Sequence, residues 1–214
     1  MGMTLRELIY DEKYCQGMMN DLPLKGFAPS GPSGGFLPAK LTVERGLPRD
    51  HKKNKTWASM CERRSFDCNA DELDILNFEL ELNFFRALSP TQALGAGMIV
   101  YHDGRDMVEQ AVNAMQFFRN ESCGKCVPCR IGSQKMAGMG MHLVQGKISE
   151  DKWQNELLPI LKDLTEVLSL TSICGLGRSV PVPLRTVIDF FPQDLAKHLA
   201  GSPKAAPKMA EVAR

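Results

Sequence analysis

Four of the seven cysteines in this 214-residue chain form one pattern. Cys123, Cys126 and Cys129 lie in Glu121-Ser-Cys-Gly-Lys-Cys-Val-Pro-Cys-Arg130, with two residues between neighbours, and Cys174 follows in Ser172-Ile-Cys-Gly-Leu-Gly177. Three thiolates so closely spaced can take three corners of one [4Fe–4S] cube, and a thiolate from elsewhere must close the last iron. The chain between them is short and turned, so its amides point toward the cluster sulfides. Gly175 and Gly177 allow close backbone approach and further amide donors around Cys174.

Zinc also accepts four thiolates, but structural zinc sites usually present two separated cysteine pairs, not a triplet and a single. A redox dithiol needs only one Cys-x-x-Cys and leaves the third cysteine idle. The spacing therefore favours iron–sulfur, with zinc and redox thiols as the other readings. Lys125, Arg130 and Arg178 are placed to offset the negative charge of a tetrathiolate cluster and raise its reduction potential. Cys15, Cys61 and Cys68 have no matching partner and read as free thiols. His51, His102, His142 and His198 are scattered and are assigned no role.

The bulk numbers suit a globular carrier of such a site. Hydrophobic residues make up 43% and charged residues 24%, ordinary for a folded domain. A net charge of +1 gives no global field for nucleic acid or an anionic membrane. No apolar run reaches the roughly 20 residues of a membrane span, and no secretory signal opens the sequence. The expectation is a cytoplasmic protein without direct membrane insertion, reaching a membrane complex only through partners.

The elements that must position the cysteines follow from capping and periodicity. Thr4-Leu-Arg-Glu7 is a capping box before a helix with Leu5, Leu8 and Ile9 on its apolar face. Leu22–Ala28 reads as a strand running into turn residues 29–38. That glycine-rich stretch lacks nucleotide-loop spacing and reads as a tight structural loop. Residues 44–64 are basic and read as a solvated insertion, with a docking surface as the sharper alternative. Alternation over Ile75–Asn83 predicts a half-buried strand, and Gly97–His102 a second one.

Helices then take over. Asp106 caps one that runs to about Asn120, and residues 130–145 form the next, stopped by Gly146. Ser149 caps a third, with a kink expected at Pro159. Pro183 opens a fourth, and Pro192 divides it from a last short helix. The tail reads as disordered. The first half is thus mixed and the second all-helical.

Glu121–Gly132 resembles the signature of the NADH-binding flavoprotein subunit of respiratory complex I and its relatives. These include NAD-linked hydrogenase diaphorase and formate dehydrogenase beta subunits. The Cys174 segment is similar to that family's fourth cluster ligand. Residues 4–9 and 24–38 resemble its soluble-ligand-binding β-grasp domain. Residues 94–104 and 191–199 resemble the strand before its helical bundle and its C-terminal helix. The resemblance covers nearly all of residues 4–200.

The resemblance implies an α+β fold. It comprises an incomplete β-grasp (SLBB-like) domain over 1–104 with a basic insertion at about 39–74, a helical 4Fe-4S-binding domain over 105–201, and a tail at 202–214. It implies one [4Fe–4S] cluster on Cys123, Cys126, Cys129 and Cys174. The family's Gly-Arg-Gly-Gly-rich loops have no counterpart here, so FMN and NAD(H) are expected only on a partner chain. The chain then reads as a split subunit, truncation or fragment with no complete active site. The expected partners are a flavin/NAD(P)H-binding subunit and another iron–sulfur protein. The expected role is electron relay in an NADH dehydrogenase, hydrogenase or formate dehydrogenase type complex. The other reading is a structural or partner-docking module whose cluster only stabilises the helices.

Overall fold

In the computed structural model the chain is described at residues 2–42, 58–59, 62, 71–83, 85 and 94–200. Most of the basic stretch, Cys61, Cys68 and the tail at 202–214 lie outside the described residues. The fold mixes helix and sheet. Among the described residues, no helix is long and apolar enough to cross a membrane.

Helix α1 (Leu5–Tyr10) starts at the expected capping box. Thr4 Oγ1 accepts from the Glu7 amide at 3.1 Å, and Glu7 Oε2 accepts from the Thr4 amide at 2.7 Å. Strand β1 runs Leu24–Pro32, further than expected, because residues 29–32 continue the strand instead of turning. It pairs antiparallel with β2 (Leu37–Pro38) on one side and with β5 (Ile99–His102) on the other. Two short strands, β3 (Lys40–Thr42) and β4 (Glu72–Asp74), form a separate antiparallel pair.

Strand β1 is buried on both faces, and its alternation divides the core. Phe27 joins a cluster with Leu5, Ile9, Leu37 and Leu41. The next residue, Ala28, points the other way into the helical cluster with Phe36, Tyr101 and Met107. Gly26 makes room for this arrangement. A Cβ there would lie 2.7 Å from the Leu37 carbonyl oxygen and 2.9 Å from Phe191 Cζ. The glycine-rich loop after β1 backs onto a helix: the Phe36 amide donates to Thr186 Oγ1 at 2.9 Å.

The strand expected over Ile75–Asn83 does not form. Asp74 Oδ1 accepts from the Leu76 amide at 2.9 Å and winds Ile75–Asn77 into a 3-10 turn. Among the described residues the pairing is reduced to an isolated bridge between Thr4 and Glu79, flanked by hydrogen bonds from the Leu5 amide to the Phe78 carbonyl and from the Leu80 amide to the Met3 carbonyl. The apolar alternation still buries Phe78, but Leu82 is exposed.

Helix α2 (Met107–Glu121) begins where Asp106 Oδ1 accepts from the amides of Val108 and Glu109. Its expected stripe, Val108, Ala111, Val112, Met115 and Phe118, is buried. Helix α3 (Val127–Val144) follows and ends before Gly146 at φ +64°. Strand β6 (Ile148–Ser149) leads into a helical turn capped by Ser149. A wide π-type turn at Trp153–Leu157 precedes helix α4 (Leu158–Thr171), with Pro159 in its first turn. That wide turn is the form the expected break at Pro159 takes.

Helices α5 (Gly175–Ser179), α6 (Val182–Phe190) and α7 (Pro192–His198) follow. Strand β7 (Leu199–Ala200) pairs parallel with β6 and so lies beside the segment that leads toward α4. A buried carboxylate fastens α7 to the rest. Asp194, 3% exposed, accepts from Lys25 Nζ at 2.6 Å, Lys197 Nζ at 2.7 Å and the Met107 amide at 2.9 Å.

Candidate iron–sulfur site

The cysteine triplet occupies the junction between α2 and α3. Helix α2 ends at Glu121, and Ser122 leaves it with extended backbone. Gly124 takes φ +72°, a left-handed turn that glycine adopts without steric cost. Cys126 is the N-cap of α3, which begins three residues earlier than the sequence suggested. Cys129 therefore lies inside the first turn of α3 and is buried at 5% exposure.

Cys174 arrives from a second junction, between α4 and the short helix α5, and is the N-cap of α5. Two close approaches bring that junction against α3. A Cβ on Gly132 would meet Leu168 Cδ2 of α4 at 2.8 Å. A Cβ on Gly177 would meet Cys129 Cβ at 3.0 Å and would collide with the Ser172 hydroxyl. Glycine at both positions lets the two junctions close on each other.

All four cysteines line one cavity of about 240 Å³, with Ser122, Lys125 and Ile173 also on its wall. Cys123 and Cys174 are exposed, Cys126 is half-buried and Cys129 is buried. The backbone N–H of Ile173, from the other loop, faces the Cys126 sulfur, and that of Cys129 does so next. Together they hold the Cys126 thiol below the ordinary cysteine range. Ser122 Oγ lies 3.2 Å from Cys129 Sγ.

The residues present fit an iron–sulfur cluster on three counts. The donor set is four cysteine sulfurs from two loops. The four cysteines line a cavity of about 240 Å³, more space than a single ion needs. A lone zinc would draw its sulfurs to about 2.3 Å from one centre. Beside the site, the Ser172 hydroxyl is buried with no hydrogen-bond partner among the described residues, a polar group in want of an acceptor.

The three basic residues divide. Lys125 lines the cavity. Arg130 Nη1 instead donates to the Gly124 carbonyl at 2.8 Å, and Arg178 Nε to the Ser172 carbonyl at 3.4 Å. The two arginines brace the loops that carry the cysteines. Glu121 was not anticipated, yet it lines the cavity and places a carboxylate beside it. Ser122 and the Ile173 amide were also missed. Ser122 stands beside Cys123 in the motif, but nothing in the pattern says where its hydroxyl points. Cys15 is exposed just beyond α1 and takes no part in the cavity. His198 has a partner that sequence spacing did not reveal: its Nε2 donates to Asp106 Oδ2 at 3.0 Å.

Comparison with known proteins bears on this site directly. Residues 109–198 match the family described as the NADH-ubiquinone oxidoreductase-F iron-sulfur binding region. The NADP-reducing hydrogenase subunit HndC of Solidesulfovibrio fructosivorans is 28% identical over 199 residues, covering 93% of this chain and 32% of the relative. An NADH-quinone oxidoreductase subunit of Aquifex aeolicus is 31% identical over 127 residues, covering 59% of this chain and 28% of the relative. Among solved structures, an NAD+-reducing [NiFe]-hydrogenase in the H2-reduced state superposes with a TM-score of 0.61 at 25% identity. That match covers 95% of this chain and 27% of the hydrogenase chain. The chain thus matches 27–32% of the length of these relatives.

Proposed function

We propose that this chain, whose residues 109–198 match the NADH-ubiquinone oxidoreductase-F iron-sulfur binding region, is an electron-relay subunit or segment. In this reading Cys123, Cys126, Cys129 and Cys174 are the thiolate ligands of one [4Fe–4S] cluster. The observation that carries it is the convergence of these four sulfurs, from two helix junctions, on a single cavity. When bound, such a cluster takes up and returns one electron and makes no bond to a substrate.

The chain's own residues supply position and electrostatics. The Ile173 amide faces Cys126 and favours its thiolate. Arg130 and Arg178 hold the carbonyls of Gly124 and Ser172, and so the shapes of both loops. Lys125 and Glu121 place opposite charges on the cavity wall. The first half, about 1–104, serves as an incomplete β-grasp (SLBB-like) unit. Residues 105–201 serve as the helical unit that carries the cluster.

The electron donor in this reading is a flavin/NAD(P)H site on a partner chain, and the acceptor is a further iron–sulfur protein. The host is a complex of the NADH dehydrogenase or hydrogenase type, reached from the cytoplasmic side. The names of the relatives, all subunits of oxidoreductases, support this placement. Purified, cluster-loaded chain mixed with NADH and ferricyanide tests it. No turnover is expected until a flavin-bearing partner is added, and turnover by the chain alone overturns the assignment. The close packing of Gly177 on Cys129 favours a second reading, a cluster that only staples α3, α4 and α5. A cluster that dithionite cannot reversibly reduce would select that reading.

A further inference from the structure

We propose that Ser122 donates its hydroxyl hydrogen to the Cys129 sulfur and thereby raises the reduction potential of the site. The inference rests on the cluster assignment above and adds a positioning residue to it. Ser122 Oγ lies 3.2 Å from Cys129 Sγ, and the Gly124 N–H donates to the same oxygen at 3.3 Å. A serine hydroxyl carries one hydrogen and two lone pairs. The Gly124 amide occupies a lone pair and leaves the hydrogen free. A cysteine that ligates iron is a thiolate and has no proton to give. Of the two groups, only Ser122 can then be the donor.

The consequence follows from charge. Reduction adds one electron to the site, supplied by the reduced flavin of the partner chain, and no proton leaves Ser122. A hydrogen bond to sulfur stabilises the more negative of the two redox forms, so it shifts the potential upward. Its placement strengthens the effect. Cys129 is 5% exposed, whereas Cys123 and Cys174 are open to water that would weaken any such bond. The same oxygen ties the Gly124 turn to the start of α3, so one hydroxyl serves both loop shape and sulfur electronics.

The test compares side chains of nearly equal shape at one position. Wild type, Ser122→Thr and Ser122→Val are loaded anaerobically, assayed for iron and sulfide, and titrated with dithionite and mediators while the reduced signal is read by electron paramagnetic resonance. Threonine keeps the hydroxyl and valine deletes it. With equal loading, Ser122→Thr is expected to stay near the wild-type potential. Ser122→Val is expected to fall by about tenfold in the reduction constant, about 59 mV for one electron. Equal potentials in loaded wild type and loaded Ser122→Val overturn the inference and leave the cluster assignment standing. Wild type that takes up no iron overturns the assignment itself. Should valine block loading, Ser122→Ala and Ser122→Gly make the same deletion with less bulk and are read against the same criterion.

Discussion

Gly177 of α5 packs against Cys129 of α3 so closely that a β-carbon on the glycine would sit 3.0 Å from Cys129 Cβ. This contact is one of those that join the triplet junction to the Cys174 junction. Gly177→Ala is expected to push the junctions apart, at about 1–3 kcal/mol for forced overpacking. The reading is iron and sulfide per chain alongside the thermal midpoint. Wild-type loading with an unchanged midpoint would show that the contact is not needed.

Asp194 is expected to be the most costly surface-distant carboxylate to remove. It is almost fully buried and holds Lys25, Lys197 and the Met107 amide at once. Burial alone would push its carboxyl up, and the hydrogen bonds from Lys197 and Lys25 override this and hold it low. Asp194→Ala leaves the largely buried Lys25 unpaired and is expected to cost about 3–5 kcal/mol in denaturant unfolding. The double variant Lys25→Met/Asp194→Leu is expected to recover much of that loss. A double variant as unstable as the single one would contradict the account.

Stability is also expected to depend on pH through His198 and Asp106. The hydrogen bond to Asp106 raises the His198 pKa above its ordinary value. That contribution is full below the unfolded histidine value of about 6.5 and is lost as pH rises through the raised folded value. Burial pushes the Asp106 carboxyl up, but its bond from His198 lowers it overall. That contribution is present above about pH 4 and is lost as pH falls through the depressed value. The pair therefore stabilises most between about pH 4 and 6.5. Urea midpoints of wild type and His198→Gln, taken at pH 6 and pH 8.5, check it. The gap between the two proteins should narrow at the higher pH, and a constant gap would refute the pairing.

What was legible in the sequence was local. The spacing of the cysteine triplet, the caps at Thr4, Asp106 and Ser149, and the stripe of α2 each depend on residues close together in the sequence. The caps form as read, and the four cysteines do meet at one cavity. What was hidden depended on partners far along the chain or on side-chain direction. The pairings of His198 with Asp106 and of Lys25 with Asp194 join residues 92 and 169 positions apart. The alternation at Ile75–Asn83 matched a strand, yet the Asp74 side chain captured the Leu76 amide and closed a turn first. Arg130 and Arg178 sat where charge compensation was expected, but their guanidinium groups found loop carbonyls.

The measurement that bears most directly on the central claim is anaerobic iron–sulfur reconstitution of the wild type and of single Cys→Ser variants at 15, 123, 126, 129 and 174. The account predicts a brown wild type with about four irons and four sulfides per chain, reducible by dithionite. It predicts the same for Cys15→Ser and loss or severe depletion at each of the other four positions. Colourless, iron-free wild type, or a wild-type cluster retained after substitution at one of the four, would contradict it.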